Sequence, residues 1–194
     1  NKGKVYSIKM YEIPEGRRAT RGKSIMNFLS LTPEESVTSI LAVRKEDWDG
    51  AKDSNSAMMM VTREGVAKKV DVASFKDVRR SGLIAIGLKD ADALISARFV
   101  GKGDSVSLVS SRGQSIRFKE SDIRQMGRTA AGVRGMKLGK NDFVVSADVI
   151  HKNEEGAAAL LIITENGFGK TTPAKEYKVQ KRGGSGIKTA KVTA

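Results

Sequence analysis

Few side chains in this sequence could perform covalent or metal chemistry. The 194 residues contain no cysteine and a single histidine, His151, which excludes disulfides, thiolate metal sites, thiol nucleophiles and paired-histidine metal sites. None of the three tyrosines, Tyr6, Tyr11 and Tyr177, stands beside an arginine in a helix-turn-helix pattern that would suit a catalytic tyrosine. The sequence therefore predicts no catalytic residue, no metal site and no bound cofactor in this chain.

Positive charge is the feature that could do binding chemistry. Lysine and arginine number 35 against 22 acidic residues, a net charge of +13, which favours a polyanionic partner, with nucleic acid ahead of an anionic membrane. The net charge is +5, +3, +6 and +6 in residues 1–28, 57–82, 109–140 and 166–194, and the segments between these basic windows are neutral or acidic. Aromatic residues are sparse and no recognition-helix pattern occurs, so the windows favour contact with the backbone of duplex DNA.

No membrane or secretion signal accompanies this charge. The longest apolar run, residues 157–163, is far shorter than the roughly 20 residues of a membrane helix. The N-terminal residues do not form a charged-then-apolar leader, and the absence of cysteine agrees with a reducing compartment. We therefore expect a cytoplasmic protein with no membrane partner.

A repeat marked by two glycines supplies the elements that would position the basic windows. The turn glycines are Gly3, Gly65, Gly113 and Gly167, and a second glycine follows each after 17 to 19 residues, at Gly22, Gly82, Gly132 and Gly186. Apolar runs precede the last three turn glycines, and alternating segments (KSIMNFL, LIAIGL, VRGMKL and IKTAKV) follow the second glycines. Further apolar stretches at 37–43, 93–100 and 143–150 complete the first three units. Each unit therefore predicts about four short strands.

Four-stranded units that recur every 48 to 62 residues indicate an all-β, propeller-like radial array rather than a sandwich or a single barrel. We expect one domain over residues 1–194, with repeats at approximately 1–56, 57–104, 105–156 and 157–194. The first unit lacks its leading apolar run and the last its final stretch, so we expect about three and a half repeats, truncated at both ends. Equivalent positions of a radial array lie on one rim, so the windows predict a curved basic band.

Cations of the four windows are the candidate DNA contacts. We expect phosphate contacts that do not depend on base sequence. The candidates are Arg21, Lys23, Lys68, Lys69, Arg79, Arg80, Arg117, Lys119, Arg128, Arg134, Lys137, Lys170, Lys181, Arg182 and Lys188.

Longer segments resemble a known family. GKVYSIKMYEIPE (3–15), KEDWDG (45–50), SIRFKESDIRQMGRTAAGVRGMKL (115–138) and NGFGKTTPAKEYKVQKRGGSGIKT (166–189) resemble the C-terminal domain of the DNA gyrase A subunit, and the resemblance covers essentially the whole chain. It implies a six-bladed β-pinwheel, a propeller relative with strand exchange between blades, that wraps DNA around a basic rim so that the enzyme can introduce negative supercoils. It also implies that catalysis, ATP and Mg²⁺ belong to other domains. The implied partners are duplex DNA, the gyrase B subunit, and the remainder of the gyrase A subunit, in the bacterial cytoplasm at the nucleoid.

The QKRGGSG run at 180–186 resembles the QRRGGKG box of that family, with Lys181 where Arg is expected and Ser185 where Lys is expected. We interpret Gln180, Lys181, Arg182, Gly183, Gly184, Ser185 and Gly186 as a box-like blade loop, with the true box expected upstream.

Other functions remain open at this point. The runner-up within the family is the C-terminal domain of the topoisomerase IV A subunit, which serves decatenation and substrate selection. A propeller scaffold for acidic protein partners is a structural alternative. An enzyme with its site in a propeller channel is disfavoured, because no histidines, cysteines or clustered acids converge.

Overall fold

The computed structural model describes residues 1–43, 57–89 and 91–192, and within these ranges it is built from short strands and 3-10 turns, with no α-helix. The strands are β1 Lys4–Val5, β2 Ala57–Thr62, β3 Val66–Asp71, β4 Leu83–Ile84, β5 Leu94–Val100, β6 Ser105–Ser110, β7 Gln114–Lys119, β8 Val133–Arg134, β9 Val144–Ile150, β10 Ala159–Ile163, β11 Gly169–Pro173 and β12 Ile187–Lys188. The 3-10 turns are Met10–Glu12, Ile25–Asn27, Val72–Phe75, Glu120–Asp122 and Ala174–Glu176. The predicted all-β class is confirmed.

Strand pairing divides the described residues into four blades. Blade 1 consists of β1 and β4, blade 2 of the strands in the order β5-β2-β3-β8, blade 3 of β9-β6-β7-β12, and blade 4 of β10 and β11, all paired antiparallel. β5 and β9 contact each other across neighbouring blades, where the Ser96 hydroxyl donates to the Ala147 carbonyl at 2.9 Å. These two strands therefore form the inner edges of blades 2 and 3, and β8 and β12 lie at the outer edges.

The first glycine of three units forms the hairpin turn that the sequence predicts. Gly65, Gly113 and Gly167 join β2 to β3, β6 to β7 and β10 to β11, with φ of +77°, +73° and +81°, and Gly3 has a φ of +70°. An L side chain is strained at such positive φ, and glycine is not. The four turn glycines therefore share a positive φ, but the hairpin expected at Gly3 is wrong, because no strand precedes it among the described residues and β1 pairs with β4 instead.

The outermost strand of a blade comes from the following unit. β4 pairs with β1, β8 with β3 and β12 with β7, and each of these exchanged strands is only two residues long. Gly82, Gly132 and Gly186 stand just before the exchanged strands, with φ of +81°, +96° and +74°. The strand exchange expected from the family resemblance is confirmed at all three positions.

Two apolar clusters fill the spaces between blades. Met58 and Met60 of β2 pack toward blade 1 with Phe75, whereas Met59 packs toward blade 3 with Leu108. β2 is consequently buried on both faces, and so is β6. Burial of such a side chain contributes about 1.5–3 kcal/mol, so the methionine run stabilises the core.

A 3-10 turn begins seven residues after each turn glycine, at Met10, Val72, Glu120 and Ala174. Three residues further on, Phe75, Ile123 and Tyr177 are almost completely buried and anchor three of these turns. Three-residue turns leave no periodic pattern in a sequence, so the sequence does not predict them.

The first unit departs from the prediction in three places. Residues 23–29, predicted as a strand, form the 3-10 turn Ile25–Asn27, residues 37–43 form no strand, and Gly22 does not have a positive φ. Strand formation needs a paired neighbour, and none pairs with these residues in the described part of the chain. The Glu35 carboxylate instead holds this region to β1, at 3.0 Å from Lys4 Nζ and accepting from the Tyr6 hydroxyl at 3.0 Å. The KEDWDG segment (45–50) lies outside the described residues.

Candidate nucleic-acid interface

Thirteen of the fifteen candidate cations are exposed or half-exposed, and ten of these also lack a partner among the described residues. Within the described part of the chain, the side chains of these ten form no ion pair and no hydrogen bond. These ten are Arg21, Lys23, Arg79, Lys119, Arg128, Arg134, Lys137, Lys170, Lys181 and Lys188.

Several of these free cations recur at the outer edges of the blades. Arg134 lies in β8, opposite Val66, and Lys188 lies in β12, opposite Gln114, at equivalent positions of the two exchanged strands. Residues 76–82, 124–132 and 178–186 lead from a 3-10 turn to an exchanged strand, and we call them the blade-crossing loops. Arg79, Arg128 and Lys181 lie one in each of these loops. The exchanged strands and the blade-crossing loops together form what we call the rim.

Arg117, in contrast, is buried and joins neighbouring blades by hydrogen bonds. Its side chain is 3% exposed, Nε donates to the Ser105 hydroxyl at 2.8 Å, and Nη2 lies 2.6 Å from a carboxylate oxygen of Glu155. Nη1 donates to the carbonyls of Ala174 and Tyr177 at 3.0 and 3.4 Å. The prediction that Arg117 contacts DNA is wrong, because its guanidinium is buried and hydrogen-bonded inside the protein.

Lys68 is also internal. It has no exposed surface, and its ammonium group donates to the carbonyls of Ala85, at 2.8 Å, and Arg128. Burial lowers the pKa of Lys68 to about 8, and the charge of Arg128 acts in the same direction. The expected contact of Lys68 with DNA is therefore wrong. Its neighbour Lys69 is 14% exposed and paired with the Glu120 carboxylate, which offsets its charge.

The two remaining candidates are at the surface but have partners. Arg80 lies 3.1 Å from a carboxylate oxygen of Glu12, and its side chain is 73% exposed, so solvent screens the pair and a polyanion can displace it. Arg182 donates to the carbonyls of Asp122 and Arg134 at 2.9 and 3.0 Å. Arg182 thus keeps its positive charge at the rim while joining the 3-10 turn Glu120–Asp122 to the exchanged strand β8.

Backbone hydrogen bonds hold the box-like loop, residues 180–186, against the neighbouring blade. The Gly183 amide donates to the Gly135 carbonyl at 2.6 Å, and the Lys137 amide donates to the Gly184 carbonyl at 2.9 Å. Gly183 has a φ of +81°, which glycine adopts without strain. The loop therefore connects blade 3 to the end of the outer strand of blade 2.

Gly186 places this loop close to β7. A Cβ atom at Gly186 would lie 2.2 Å from the Ser115 carbonyl oxygen, so only glycine fits. Lys181 and Ser185, the two residues that depart from the family box, are both exposed. The departures therefore change the surface of the loop and leave its glycine framework in place.

Two further exposed cations, Arg63 beside the rim and Arg124 on it, are absent from the candidates. The Arg63 guanidinium lies 3.6 Å from the centre of the Phe143 ring, and both side chains line a groove with Arg134 and Lys137. Arg124, in the second blade-crossing loop, is exposed. Both arginines belong to basic windows, so the charge pattern contained the signal that could have identified them.

Other chemistry has little support in residues 1–43, 57–89 and 91–192. Nowhere in these ranges do three His, Cys, Asp or Glu side chains come together as a metal site requires, and no helix there is long and apolar enough to cross a membrane. His151 follows β9, with Nδ1 2.9 Å from a carboxylate oxygen of Asp104. That carboxylate also accepts hydrogen bonds from the Gly101 and Lys152 backbone amides, so the His151–Asp104 pair stabilises a turn.

Comparisons with known proteins agree with the arrangement of the blades. The family described as DNA gyrase C-terminal domain, beta-propeller, matches residues 1–44, 57–100, 104–151 and 158–194. The DNA gyrase A subunit of Staphylococcus epidermidis is 38% identical over 193 residues, which is all of this chain and 21% of that protein, so the chain spans about a fifth of this relative.

Two solved structures have the same fold. A C-terminal domain of DNA topoisomerase IV superposes with a TM-score of 0.83 at 26% identity, covering 97% of this chain and 56% of the other. A DNA gyrase A C-terminal domain superposes with a TM-score of 0.77 at 29% identity, covering 96% and 57%. With its four matched segments and its exchanged strands, the chain belongs to the DNA gyrase C-terminal domain family of β-propellers.

Proposed function

We propose that this chain binds duplex DNA and wraps it around the rim, as the C-terminal domain of a DNA gyrase A subunit. In that role it is a non-catalytic part of an ATP-dependent enzyme that introduces negative supercoils, and its partners are the gyrase B subunit, together with the rest of its own subunit, in the bacterial cytoplasm. One observation carries the proposal: cations with no partner among the described residues recur at equivalent places on two successive blades, with Arg134 on β8 and Lys188 on β12.

Recurrence matters because bending DNA costs energy along its whole length. Turning a duplex of about 20–30 base pairs through 40–90° costs on the order of 1–6 kcal/mol. A single basic patch would hold the DNA at one point and let it leave straight. Cations spaced along a curved rim offset the cost at each step, because each new blade offers further phosphate contacts.

The proposed contacts are with phosphates and not with base edges. In the described ranges the chain has no helix to enter a groove, and the rim cations lie on two-residue strands and loops. Contacts of this kind position DNA without reading its sequence. We therefore expect binding to be general for duplexes of any sequence.

The test is the ligation of nicked circular DNA in the presence of the chain, followed by measurement of the trapped change in linking number. We expect the unaltered chain to shift the linking number and the double variant Arg128→Glu, Arg134→Glu to reduce the shift strongly. The matched control is Lys102→Glu with Lys152→Glu, because these exposed lysines follow the inner strands β5 and β9 rather than the rim.

Two results would contradict the proposal: no linking-number shift with the unaltered chain, or equal losses from the two double variants. In an intact gyrase, the rim variant should lose negative supercoiling while relaxation and DNA cleavage remain, since the chemistry belongs to other domains.

The A subunit of a topoisomerase IV is the second candidate, favoured by the superposition on such a C-terminal domain. A gyrase introduces negative supercoils, whereas a topoisomerase IV serves decatenation, so the activity of the intact enzyme separates the two. A scaffold for acidic proteins would need its cations on one flat face, whereas the free cations Arg134 and Lys188 lie on outer strands.

A further inference from the structure

Lys68 has an unusual environment for a lysine. Its ammonium group is completely buried, and its only hydrogen-bond partners in the described structure are two backbone carbonyls, of Ala85 and Arg128. These carbonyls belong to different segments: Ala85 follows β4 of blade 1, and Arg128 lies in the blade-crossing loop 124–132. The lysine side chain, from β3, therefore joins both segments behind the rim.

In the next blade the equivalent position is not a lysine. Lys68 and Ile116 each lie three residues after a turn glycine, Gly65 or Gly113, so Ile116 is the counterpart of Lys68. The blade-crossing loops correspond as well. The Met126 amide donates to the carbonyl of the residue after Lys68, and the Gln180 amide donates to the carbonyl of the residue after Ile116, both at 2.8 Å.

This correspondence aligns Thr129 with Gly183 and Ala85 with Gly135. In blade 3 the Gly183 amide donates to the Gly135 carbonyl at 2.6 Å, in a backbone conformation with a φ of +81°. Thr129 does not have a positive φ, and the Ala85 carbonyl receives the Lys68 ammonium instead. The buried Lys68 ammonium group thus takes the place of the backbone hydrogen bond that Gly183 makes at the other junction, where a positive φ requires glycine.

One neighbouring contact is the same in both places and supports the alignment. The Gly87 amide donates to the Ala130 carbonyl at 3.2 Å, just as the Lys137 amide donates to the Gly184 carbonyl at 2.9 Å. At the first of these junctions the buried lysine adds a bond to the carbonyl of Arg128, whose side chain is half-exposed and unpartnered among the described residues.

We propose that Lys68 is a positioning residue for the DNA interface: its buried ammonium group holds loop 124–132 by the carbonyl of Arg128 and so fixes the Arg128 guanidinium at the rim. Like charges repel, so the lysine also disfavours an Arg128 side chain folded back onto the protein. This inference rests on the proposed DNA wrapping.

The test compares Lys68→Ile, which introduces the residue of the equivalent position in blade 3, with the double variant Lys68→Ile, Thr129→Gly. Thr129→Gly supplies the glycine that allows the backbone hydrogen bond seen at Gly183. Lys102→Ile, at an exposed lysine away from the rim, controls for the loss of one charge. Two readouts are needed on the full chain: amide hydrogen exchange of residues 124–131 without DNA, and the linking-number shift on nicked circles.

We expect Lys68→Ile to remain folded, to exchange these amides about tenfold faster and to lose much of the linking-number shift, because one strong tie is removed. The double variant should recover both the slow amide exchange and the linking-number shift. If the charge of Lys68 acted only on overall stability, Thr129→Gly would restore neither. If Lys68→Ile does not fold, Lys68→Met keeps the side-chain length without the charge and replaces it in the comparison.

Unchanged exchange in Lys68→Ile would overturn the inference, and so would faster exchange with an unchanged linking-number shift. Failure of the proposed function is distinguishable, because the unaltered chain would then give no shift at all while the exchange measurement still reports whether Lys68 holds the loop.

Discussion

Lys68 titrates differently in the folded and the unfolded chain. Burial, with a contribution from the charge of Arg128, lowers its pKa to about 8 in the folded protein, against an ordinary value of 10.5. Between these two pH values the unfolded chain binds more protons than the folded chain. Raising the pH through this range therefore favours the folded state, and below about pH 8 the cost of burying the charge is present in full.

We therefore expect the stability of the unaltered chain, relative to Lys68→Ile, to increase between about pH 7 and pH 10. Urea unfolding followed by circular dichroism at a series of pH values measures the difference. All other titrating groups are common to both chains, so their contributions largely cancel. A difference that does not change with pH would show that Lys68 has an ordinary pKa in the folded state.

At the scale of the elements, Gly113 and Gly167 form the same hairpin turn in different surroundings. Their φ values are +73° and +81°. A Cβ atom on Gly113 would lie 2.3 Å from the carbonyl oxygen of Ala190, which follows the exchanged strand β12, whereas nothing lies within 4 Å of a Cβ atom on Gly167. A comparison of substitutions at the two glycines therefore separates the free-energy cost of backbone strain from the cost of close packing.

Gly167→Ala should cost about 1–2 kcal/mol, the strain of a left-handed L residue. Gly113→Ala should cost roughly 1–3 kcal/mol more, because the segment that carries the exchanged strand must also move. The difference in unfolding free energy, from urea titrations of both variants, measures this second contribution. Equal costs would mean that β12 does not pack closely on the turn.

The recurring glycines predicted the hairpin turns of this fold, because a positive φ leaves a residue-type signature at each turn. The strands of the first unit were not predictable in the same way. Residues 83–88 and 23–29 both alternate after a second glycine, yet only Leu83–Ile84, which lies beside β1, forms a strand, and residues 23–29 have no such neighbour in the described chain. Local sequence can specify a turn by itself, whereas a short strand depends on its partner.

At the scale of the whole molecule, the charge windows of the sequence do not distinguish cations that reach the surface from cations that stay inside. Alternation along a strand normally separates a buried face from a solvated one. In a blade, however, both faces pack against neighbouring blades, so Lys68 of β3 and Arg117 of β7 stay inside. Lys68 and Arg117 are the two cases, and their burial depends on packing between units that lie far apart in the sequence.

Phosphate contacts along the rim predict a steep salt dependence of DNA binding. The logarithm of the affinity should fall with the logarithm of salt at a slope of about −0.9 per phosphate contacted, so about 6–10 contacts would lower the affinity roughly 10³–10⁵-fold between about 50 and 200 mM salt. Fluorescence anisotropy of labelled duplexes of unrelated sequence measures it. An affinity that does not change with salt concentration, or that depends strongly on base sequence, would indicate a different mode of recognition.

Strand exchange also bears on how such an array changes its length over evolution. The stretch of gene that encodes one repeat is out of phase with the blade in space, since β8 and β12 are each encoded one repeat later than the blades they complete. A tandem duplication that inserts one whole repeat adds a unit that gives one outer strand to the blade before it and receives one from the unit after it. Every blade in the interior of the array therefore stays complete. The rim becomes one blade longer, and no new fold is needed.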